Sequence, residues 1–319
     1  MISFFEQVGH AILVPLYYVT SGILIVFHNL FHGLLSMPEG ISWALSIICL
    51  TLVIRAALIP LFVKQIKNSR NMQLLQPQVK ELQKKYGHDR EKLTQETMKL
   101  YKETGTNPLA SCFPLLLQMP IFLALFRTLN DAARNNQPVG FFTQGQVQSL
   151  SNAVIFNVVK IADSFTHVTH DPQWATKVVT ACMVVLMTAT TFTTQRQLMR
   201  KNMPATAMTG QYAQQQKILL YVLPLVFAVG GIAFPVGVLL YWTTSNLWTM
   251  GQQFYVIRNN PTPGTPAFEA KKRREAQRHP PAQPVIDQSA ADGTDNPPPK
   301  PTVQRVQPKK QSRKKRKNR

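Results

Sequence analysis

The stretch SWALSIICLTLVIRAALIPLFVK, residues 42–64, decides the fold of this chain. Its length matches the roughly 20 apolar residues that a membrane-spanning helix needs, yet it contains one permanent cation, Arg55, well inside it. A guanidinium at that depth costs roughly 2.5 to 3.5 kcal/mol on insertion scales. The stretch therefore predicts a membrane helix whose Arg55 faces protein or water, and we expect a wet groove open to the cytosol to provide that environment.

Outside this stretch, charged and apolar residues are separated along the chain. The 319 residues carry a net charge of +20 and are 45% hydrophobic. Charge is nearly absent from several further apolar runs and is concentrated between and after them. Runs this dense predict an all-α integral membrane protein with polar appendages, although the length alone would allow about two soluble domains.

Ten segments follow from the apolar runs and the breaks between them. Gly87, His88 and Asp89 predict a turn, with Asp89 as the N-cap of the next helix, and Phe234-Pro235 predicts a tight helical hairpin. The segments are an N-terminal apolar or interfacial helix (1–39), a first core span (40–64), a cytosolic helical hairpin (65–107), a second span (108–129), an extracytoplasmic loop (130–176), a third span (177–195), a cytosolic connector (196–217), a fourth span (218–234), a fifth span (235–257) and a disordered basic cytosolic tail (258–319).

The apolar residues 11–35 leave two topologies open: a spanning helix, or a helix lying in the membrane interface. His28, Asn29 and His32 lie close together if the segment is helical, because positions i and i+4 share a face. The two histidines raise the hypothesis of a metal site. No third ligand lies nearby in the sequence, so we interpret them as a polar edge.

The orientation follows from the basic residues. Residues 64–107, 195–217 and 258–319 carry net charges of +5, +4 and +11, which together equal the net charge of the chain. Basic loops stay on the cytoplasmic side of a membrane. The pattern predicts a multi-pass protein of the bacterial plasma membrane with a cytoplasmic C-terminus and five core spans, or six if residues 11–35 also cross.

Arg55 has no acidic residue with which to pair in any predicted span. Three hypotheses remain: a cation left free for a visiting anion, a structural pin held by neutral groups, or part of a solute pathway. Other polar residues at membrane depth often serve as interhelical hydrogen-bond partners, but together with Arg55 they would line a hydrated cavity. These candidates are Gln118, Thr190, Thr194, Tyr241, Ser245 and Asn246.

Enzymatic chemistry has no support in the sequence. The predicted exterior loop contains Asp163, His167, His170 and Asp171, but no zinc-protease motif, nucleophile elbow or phosphate-binding loop accompanies them. We interpret this group as part of a solvated loop. We therefore predict a protein that is not an enzyme, with no catalytic residue, cofactor or metal.

Four motifs resemble one family, the bacterial YidC-type membrane protein insertases, which are related to the mitochondrial oxidase-assembly and chloroplast light-harvesting insertases. The resemblance covers about residues 40–258, and its long second motif is highly specific. The extended 130–176 loop and the basic tail are similar to those of actinobacterial members. The motifs are TLVIRAALIPL (51–61), LQPQVKELQKKYGHDREKLTQETMKLYKETGTNPLASCFPLLLQMPIFLALF (75–126), KILLYVLPLVF (217–227) and FPVGVLLYWTTSNLWTMGQQ (234–253).

The resemblance implies a five-helix transmembrane core around a hydrophilic groove that is open to the cytosol and to lipid. Arg55 falls on the family's groove arginine, Gln118 and Tyr241 fall on groove-lining positions, and Ser245 lies near them. Residues 11–35 are similar to the interfacial helix that precedes the core. The cytosolic hairpin would receive the substrate, and we expect contacts from Gln76, Lys80, Lys84, Lys85 and Tyr86.

The function implied by this resemblance is that of a membrane protein insertase and chaperone, acting alone or with the Sec translocon. Expected partners are nascent membrane proteins, the ribosome through the basic tail and its rRNA phosphates, the Sec translocon, and anionic lipid. No small-molecule substrate is expected. The alternative is a small-solute or ion transporter, which would show inverted repeats and a pathway open at both ends.

Overall fold

A computed structural model describes residues 2–106, 113–133, 135, 137–202 and 211–278. These residues are mostly helical, as predicted, and their one β-element is a pair of two-residue antiparallel strands. The elements are α1 (Ile2–His28) continued by a π-helical turn (Asn29–Leu34), α2 (Glu39–Ala57), α3 (Ile59–Tyr86), α4 (Arg90–Glu103), α5 (Phe113–Ala133), α6 (Gln144–Asn152), β1 (Val154–Ile155), β2 (Val159–Lys160), α7 (Gln173–Asn202), α8 (Gln211–Gly231), α9 (Val236–Asn259) and α10 (Pro266–Arg278).

Three helical segments are long and apolar enough to cross a membrane by length and composition: Leu13–Leu34, Glu39–Ala57 and Gln173–Lys201. The surface of α8 adds a further membrane signal, because its large apolar side chains point away from the protein, and soluble monomers rarely expose apolar patches of that size. The exposed residues of α8 include Ile218, Tyr221, Val222, Leu225, Val226 and Val229. The chain is therefore an integral membrane protein, and the count of five core spans stays a prediction.

Helices α1 and α2 form an antiparallel hairpin, because only residues 35–38 separate the π-helical turn from α2. Helix α1 also packs on α5, where the hydroxyls of Thr20 and Thr128 lie 3.3 Å apart. The Ser21 hydroxyl accepts a hydrogen bond of 2.9 Å from the backbone N–H of Phe141. Segment 11–35 is therefore attached to the bundle along its side.

The main buried cluster joins α1, α2, α5, α6 and α9, and its largest members are Trp43, Leu24, Ile47, Leu125 and Leu129. The segment 137–172, called here the loop cap, covers this end of the bundle. The first turns of α2 and α9 lie so close to it that a methyl group on Gly40 would collide with the carbonyl of Val154. A methyl group on Gly237 would lie 2.9 Å from the side chain of Ile161. The loop cap and the buried cluster close the end of the bundle opposite the α3–α4 hairpin.

Several boundaries differ from the sequence-based segments. The predicted first span is interrupted at Leu58, because Pro60 occupies the first turn of a new helix, α3. The tail was predicted to be disordered from residue 258, but α9 continues to Asn259 and residues 266–278 form α10. The rest of the tail, 279–319, and the start of the second span, 108–112, lie outside the described residues.

Two local predictions are confirmed. The Asp89 carboxylate accepts a 3.0 Å hydrogen bond from the backbone N–H of Lys92 and caps α4. Pro235 is the N-cap of α9, and only residues 232–235 separate α8 from α9. Residues up to Glu275 form one compact unit, and residues 276–278 are the described part of a second.

Candidate functional site

Arg55 lies in the last turn of α2, two residues before the helix ends at Ala57. A helix carries partial negative charge at its C-terminus, so this position favours a cation. The side chain is half-buried, and its Nε donates a 3.0 Å hydrogen bond to the hydroxyl of Ser245 on α9. Its Nη2 also donates to the same oxygen. No carboxylate in the described part of the chain forms an ion pair with Arg55.

A second polar pair lies one helical turn away on α9. The side-chain amide of Gln118 on α5 donates a hydrogen bond to the hydroxyl of Tyr241, whose side chain is only 2% exposed. Tyr241 and Ser245 share a face of α9, because they are four residues apart. The structure therefore brings Arg55, Gln118, Tyr241 and Ser245 together, and their role as a substrate groove stays a prediction.

A small cavity of about 40 Å³ opens beside Arg55 and Gln118. This cavity could hold about three water molecules, since one water molecule needs roughly 10 to 15 Å³ of cavity volume. Two amide side chains, Gln65 and Gln252, complete its polar lining together with the apolar Leu58, Leu61 and Phe62. Neither glutamine is predicted from the sequence pattern, although Gln252 lies two helical turns after Ser245 and so falls on the same face of α9.

Three predicted groove residues do not line this cavity. The hydroxyls of Thr190 and Thr194 donate to carbonyls of their own helix, at 2.8 Å to Leu186 and 2.7 Å to Thr190. The amide of Asn246 donates a 3.1 Å hydrogen bond to the hydroxyl of Thr191 on α7. Asn246 is one residue after Ser245 and so points about 100° around the helix. Asn246 therefore joins α9 to α7, and the groove role of all three residues stays a prediction.

A larger apolar groove of about 590 Å³ lies between α3 and α9. Phe62 and Gln252 line both this groove and the Arg55 cavity, so the two spaces are adjacent. The other lining residues are Ile59, Val63, Ile66, Leu247, Trp248, Gly251, Tyr255, Val256 and Asn260. The cavity beside Arg55 thus opens next to a groove whose apolar lining is complementary to an apolar chain segment.

The α3–α4 hairpin carries the other predicted contact residues. Lys84 and Lys85 are exposed, Lys80 and Tyr86 are half-buried, and the side chain of Gln76 is outside the described residues. The ammonium groups of Lys85 and Lys92 lie 5.2 and 5.4 Å from the centre of the Tyr86 ring, within the range of cation–π attraction. The end of α3 is therefore fixed to the start of α4.

His28 and His32 do have an acidic neighbour, which the sequence pattern does not predict. Nε2 of each ring lies 3.6 Å from a carboxylate oxygen of Glu39, the first residue of α2. His28 also stacks on Trp43, with 3.9 Å between ring centres. Across the described ranges, no group of three or more His, Cys, Asp or Glu is arranged to hold a metal ion. The cluster therefore joins α1 to α2.

Asp163, which the sequence placed in a solvated loop, is 1% exposed. Its carboxylate accepts hydrogen bonds from the backbone N–H groups of Thr169 and His170, at 2.9 and 3.1 Å, and from the Thr169 hydroxyl at 2.7 Å. The solvated-loop interpretation is therefore wrong for this residue, because a buried carboxylate needs such partners. Asp163 organises the loop cap.

A family model described as "60Kd inner membrane protein" matches residues 34–263. The chain is 48% identical over 264 residues to a protein of Streptomyces avermitilis named "Membrane protein insertase YidC", covering 81% of this chain and 61% of that protein. A protein of the same name from Tropheryma whipplei is 37% identical over 276 residues, covering 82% and 89%. One from Bifidobacterium longum is 34% identical over 275 residues, covering 83% and 81%.

Among solved structures, the chain is similar to "Active YidC insertase crystal structure with the first transmembrane domain resolved". The TM-score is 0.46 at 24% identity, over 74% of this chain and 46% of the solved chain. The chain thus spans about three fifths of its Streptomyces relative and less than half of this solved chain.

Proposed function

This chain belongs to the 60Kd inner membrane protein family of YidC-type proteins, and we propose that it inserts nascent membrane proteins into the bacterial plasma membrane and helps them fold. The observation that carries the proposal is the Arg55 cavity. A guanidinium without a carboxylate partner among the described residues lies beside an apolar groove. An incoming membrane segment has the matching chemistry, because it combines an apolar stretch with a polar or acidic flank.

The first proposed step is capture of that flank. Arg55 uses two N–H donors on Ser245, and a guanidinium has five, so within the described ranges three donors remain for water or for a carboxylate of the client. A charge-assisted hydrogen bond of this kind is about twice as strong as a neutral one. The flank binds transiently, because water in the cavity competes for the same donors.

The second step is release of the apolar segment into lipid. The segment lies in the groove between α3 and α9 and leaves sideways, driven by burial of apolar surface at about 25 cal/mol per Å². The flank is then free to cross toward the exterior. The membrane potential assists an acidic flank by about 2.3 kcal/mol per charge per 100 mV. No nucleotide, metal or catalytic group takes part in these steps.

The cytosolic α3–α4 hairpin receives the client in this scheme, with Lys80, Lys84, Lys85 and Tyr86 near its tip. The ribosome binds the basic tail through rRNA phosphates, which brings the nascent chain to the hairpin. The Sec translocon is a further proposed partner for large clients. Each of these contacts lies on the side of the membrane that the basic segments occupy.

A photo-crosslinking amino acid at Gln118 tests the proposal. With a stalled ribosome–nascent chain carrying one membrane segment, we expect adducts between position 118 and the segment or its flank. The same amino acid at Val226, an exposed residue of α8 that lines neither the Arg55 cavity nor the α3–α9 groove, is the matched control and should give few adducts. Equal yields at the two positions, or none at Gln118, would contradict passage through the Arg55 cavity.

The transporter alternative is less well supported by the packing. Trp43, Ile47, Leu125 and Leu129 are fully buried between the Arg55 cavity and the loop cap. A solute pathway would need polar, hydrated space at that level. The packing there favours a cavity that is closed on the exterior side.

A further inference from the structure

A second cavity, of about 390 Å³, lies where the ends of α7 and α9 meet the start of α10. Gln197 and Lys201 come from α7, Phe254, Ile257 and Arg258 come from α9, and Arg274 comes from α10. Neither the Arg55 cavity nor the α3–α9 groove shares a residue with it. We call it the α7–α9–α10 cavity.

Three cations from three different helices line this cavity: Lys201, Arg258 and Arg274. Its lining contains no Asp or Glu, and none of the three cations forms an ion pair with a carboxylate in the described ranges. The one ion pair of α10 joins Lys271 to Glu275 at 3.6 Å, and neither of these residues lines the cavity. Like charges converging on one concave surface favour an anionic ligand.

The α10 side of the cavity is held in place by hydrogen bonds. Nη2 of Arg274 donates to the carbonyl of Arg258 at 2.9 Å, and Nζ of Lys271 donates to the carbonyl of Asn259 at 2.8 Å. These two carbonyls lie at the end of α9, where cations are favourable. Thr265 caps the start of α10 by accepting a 3.3 Å hydrogen bond from the N–H of Phe268. The Arg274 guanidinium is therefore fixed at the cavity wall.

Apart from Gln197, the remaining wall of the cavity is apolar. Phe254, which is 53% exposed, and Ile257 line the α9 side, and Ala267 and Ala270 line the α10 side. The site thus places apolar surface directly beside the cations. An RNA phosphate would use only the cations, whereas a phospholipid would use both surfaces, with its phosphate on the cations and an acyl chain along Phe254.

We propose that the α7–α9–α10 cavity binds the headgroup phosphate of an anionic phospholipid of the cytoplasmic leaflet. The proposal rests on the orientation given under Proposed function, because the ends of α7 and α9 then lie at the cytoplasmic surface. Anionic lipids concentrate there, and basic pockets between membrane helices on that side bind their headgroups. The bound lipid anchors the first turns of α10 to the membrane.

Native mass spectrometry of the purified protein tests the proposal. Phosphatidylglycerol and phosphatidylcholine are added as separate probes, and the lipid bound to the protein is measured. We expect stoichiometric phosphatidylglycerol and little phosphatidylcholine. The double variant Lys201→Ala with Arg258→Gln should weaken phosphatidylglycerol binding about 30-fold, since each of the two cations contributes about 1 kcal/mol near an anionic membrane and each 1.4 kcal/mol is tenfold in affinity. Lys201→Ala alone, a change at an exposed side chain, should show a smaller loss in the same direction.

The matched control is the double variant Lys272→Ala with Arg273→Ala, which removes two exposed cations of α10 that do not line the cavity. The affinity of this control for phosphatidylglycerol should stay within about twofold of that of the unaltered protein, because the cavity is unchanged. Equal weakening in the control would overturn the proposal in favour of diffuse attraction. Displacement of the lipid by millimolar inorganic phosphate would point to a free-phosphate site, and displacement by an RNA oligonucleotide to an RNA site. No client is present, so the result is separate from crosslinking at Gln118.

Discussion

Ser245 positions Arg55 by accepting hydrogen bonds from both Nε and Nη2. A neutral hydroxyl stabilises a cation without cancelling its charge, so Arg55 keeps its attraction for an anion. Its place in the last turn of α2 adds the favourable field of the helix C-terminus. The hydrogen bonds to Ser245 and the field of the helix explain how a cation without a carboxylate partner in the described chain is tolerated between membrane helices.

Replacing Arg55 with Ala tests its role as an anion-binding residue. We expect insertion of clients with acidic translocated flanks to fall about tenfold, as expected for loss of a charge-assisted hydrogen bond, while the protein still accumulates in the membrane. Arg55→Lys keeps the charge but loses the paired donor geometry. Its fall in client insertion should therefore be smaller than that of Arg55→Ala. Insertion is measured by protease protection of the client flank. Disappearance of the Ala variant from the membrane would instead support a structural pin.

Phe156 at the tip of the β1–β2 hairpin adopts a strained backbone conformation. Its φ is +50° and that of Asn157 is +59°, in the left-handed region that Asn tolerates and Phe does not. The Phe156 side chain is 77% exposed, so its packing contribution is small. We expect Phe156→Gly to stabilise the protein by about 1 kcal/mol, measured as a higher unfolding midpoint in detergent.

Asn157→Gly is the control for this strain, because it changes the neighbouring residue of the same turn. The increase in stability from Asn157→Gly should be smaller than that from Phe156→Gly, since Asn already adopts positive φ at low cost. A lower unfolding midpoint for Phe156→Gly would show that the ring stabilises the loop cap by contacts that outweigh the strain.

Among the helices, α1 decides whether the chain crosses the membrane five or six times. It meets the length and hydropathy of a membrane span between Leu13 and Leu34, and it is bonded to α5 through Thr20 and to the loop cap through Ser21. A helix lying flat at the membrane surface would not run beside α2 in an antiparallel hairpin. We therefore expect α1 to cross the membrane, which gives six spans.

The location of the N-terminus tests this prediction. A single cysteine added before Ile2 in a variant lacking the native cysteines should be protected from a membrane-impermeant maleimide in intact cells and should react after lysis. A cysteine at Phe156 in the loop cap serves as the exterior control and should react in both conditions. Reaction at the N-terminus in intact cells would favour the interfacial helix.

On the scale of the whole molecule, charge is separated from the apolar bundle. The three predicted cytosolic segments account for the entire net charge of +20. This asymmetry orients the bundle and offers basic surfaces to phosphates of lipid and RNA. We therefore expect the orientation and the proposed binding of lipid and RNA to depend on the same residues.

The basic tail provides a test of the ribosome contact. Residues 300–319 contain ten Lys and Arg, whereas residues 279–299 contain none. Removing 300–319 should weaken cosedimentation with ribosomes and reduce its dependence on salt between about 50 and 200 mM, since fewer counterions are released. Deleting 279–299 is the matched control and should leave binding unchanged. Equal loss in both deletions would argue against a phosphate-binding tail.

The sequence by itself determined the class and the central cation of this protein, and it predicted the orientation. Long apolar runs predict membrane helices because a lipid environment requires about 20 apolar residues per helix. Basic segments predict orientation because they remain on one side. Arg55 could be identified from sequence, because a charge within an apolar run is costly in any arrangement of the helices.

Only the tertiary structure decided which polar groups meet. It joined Arg55 to Ser245, added Gln65 and Gln252 to the cavity, and directed Asn246 to α7. Helical spacing assigns residues to one face of their own helix, but it does not say which neighbour that face contacts. The rotation of each helix is set by packing across the whole bundle, through contacts between residues that are far apart in the chain.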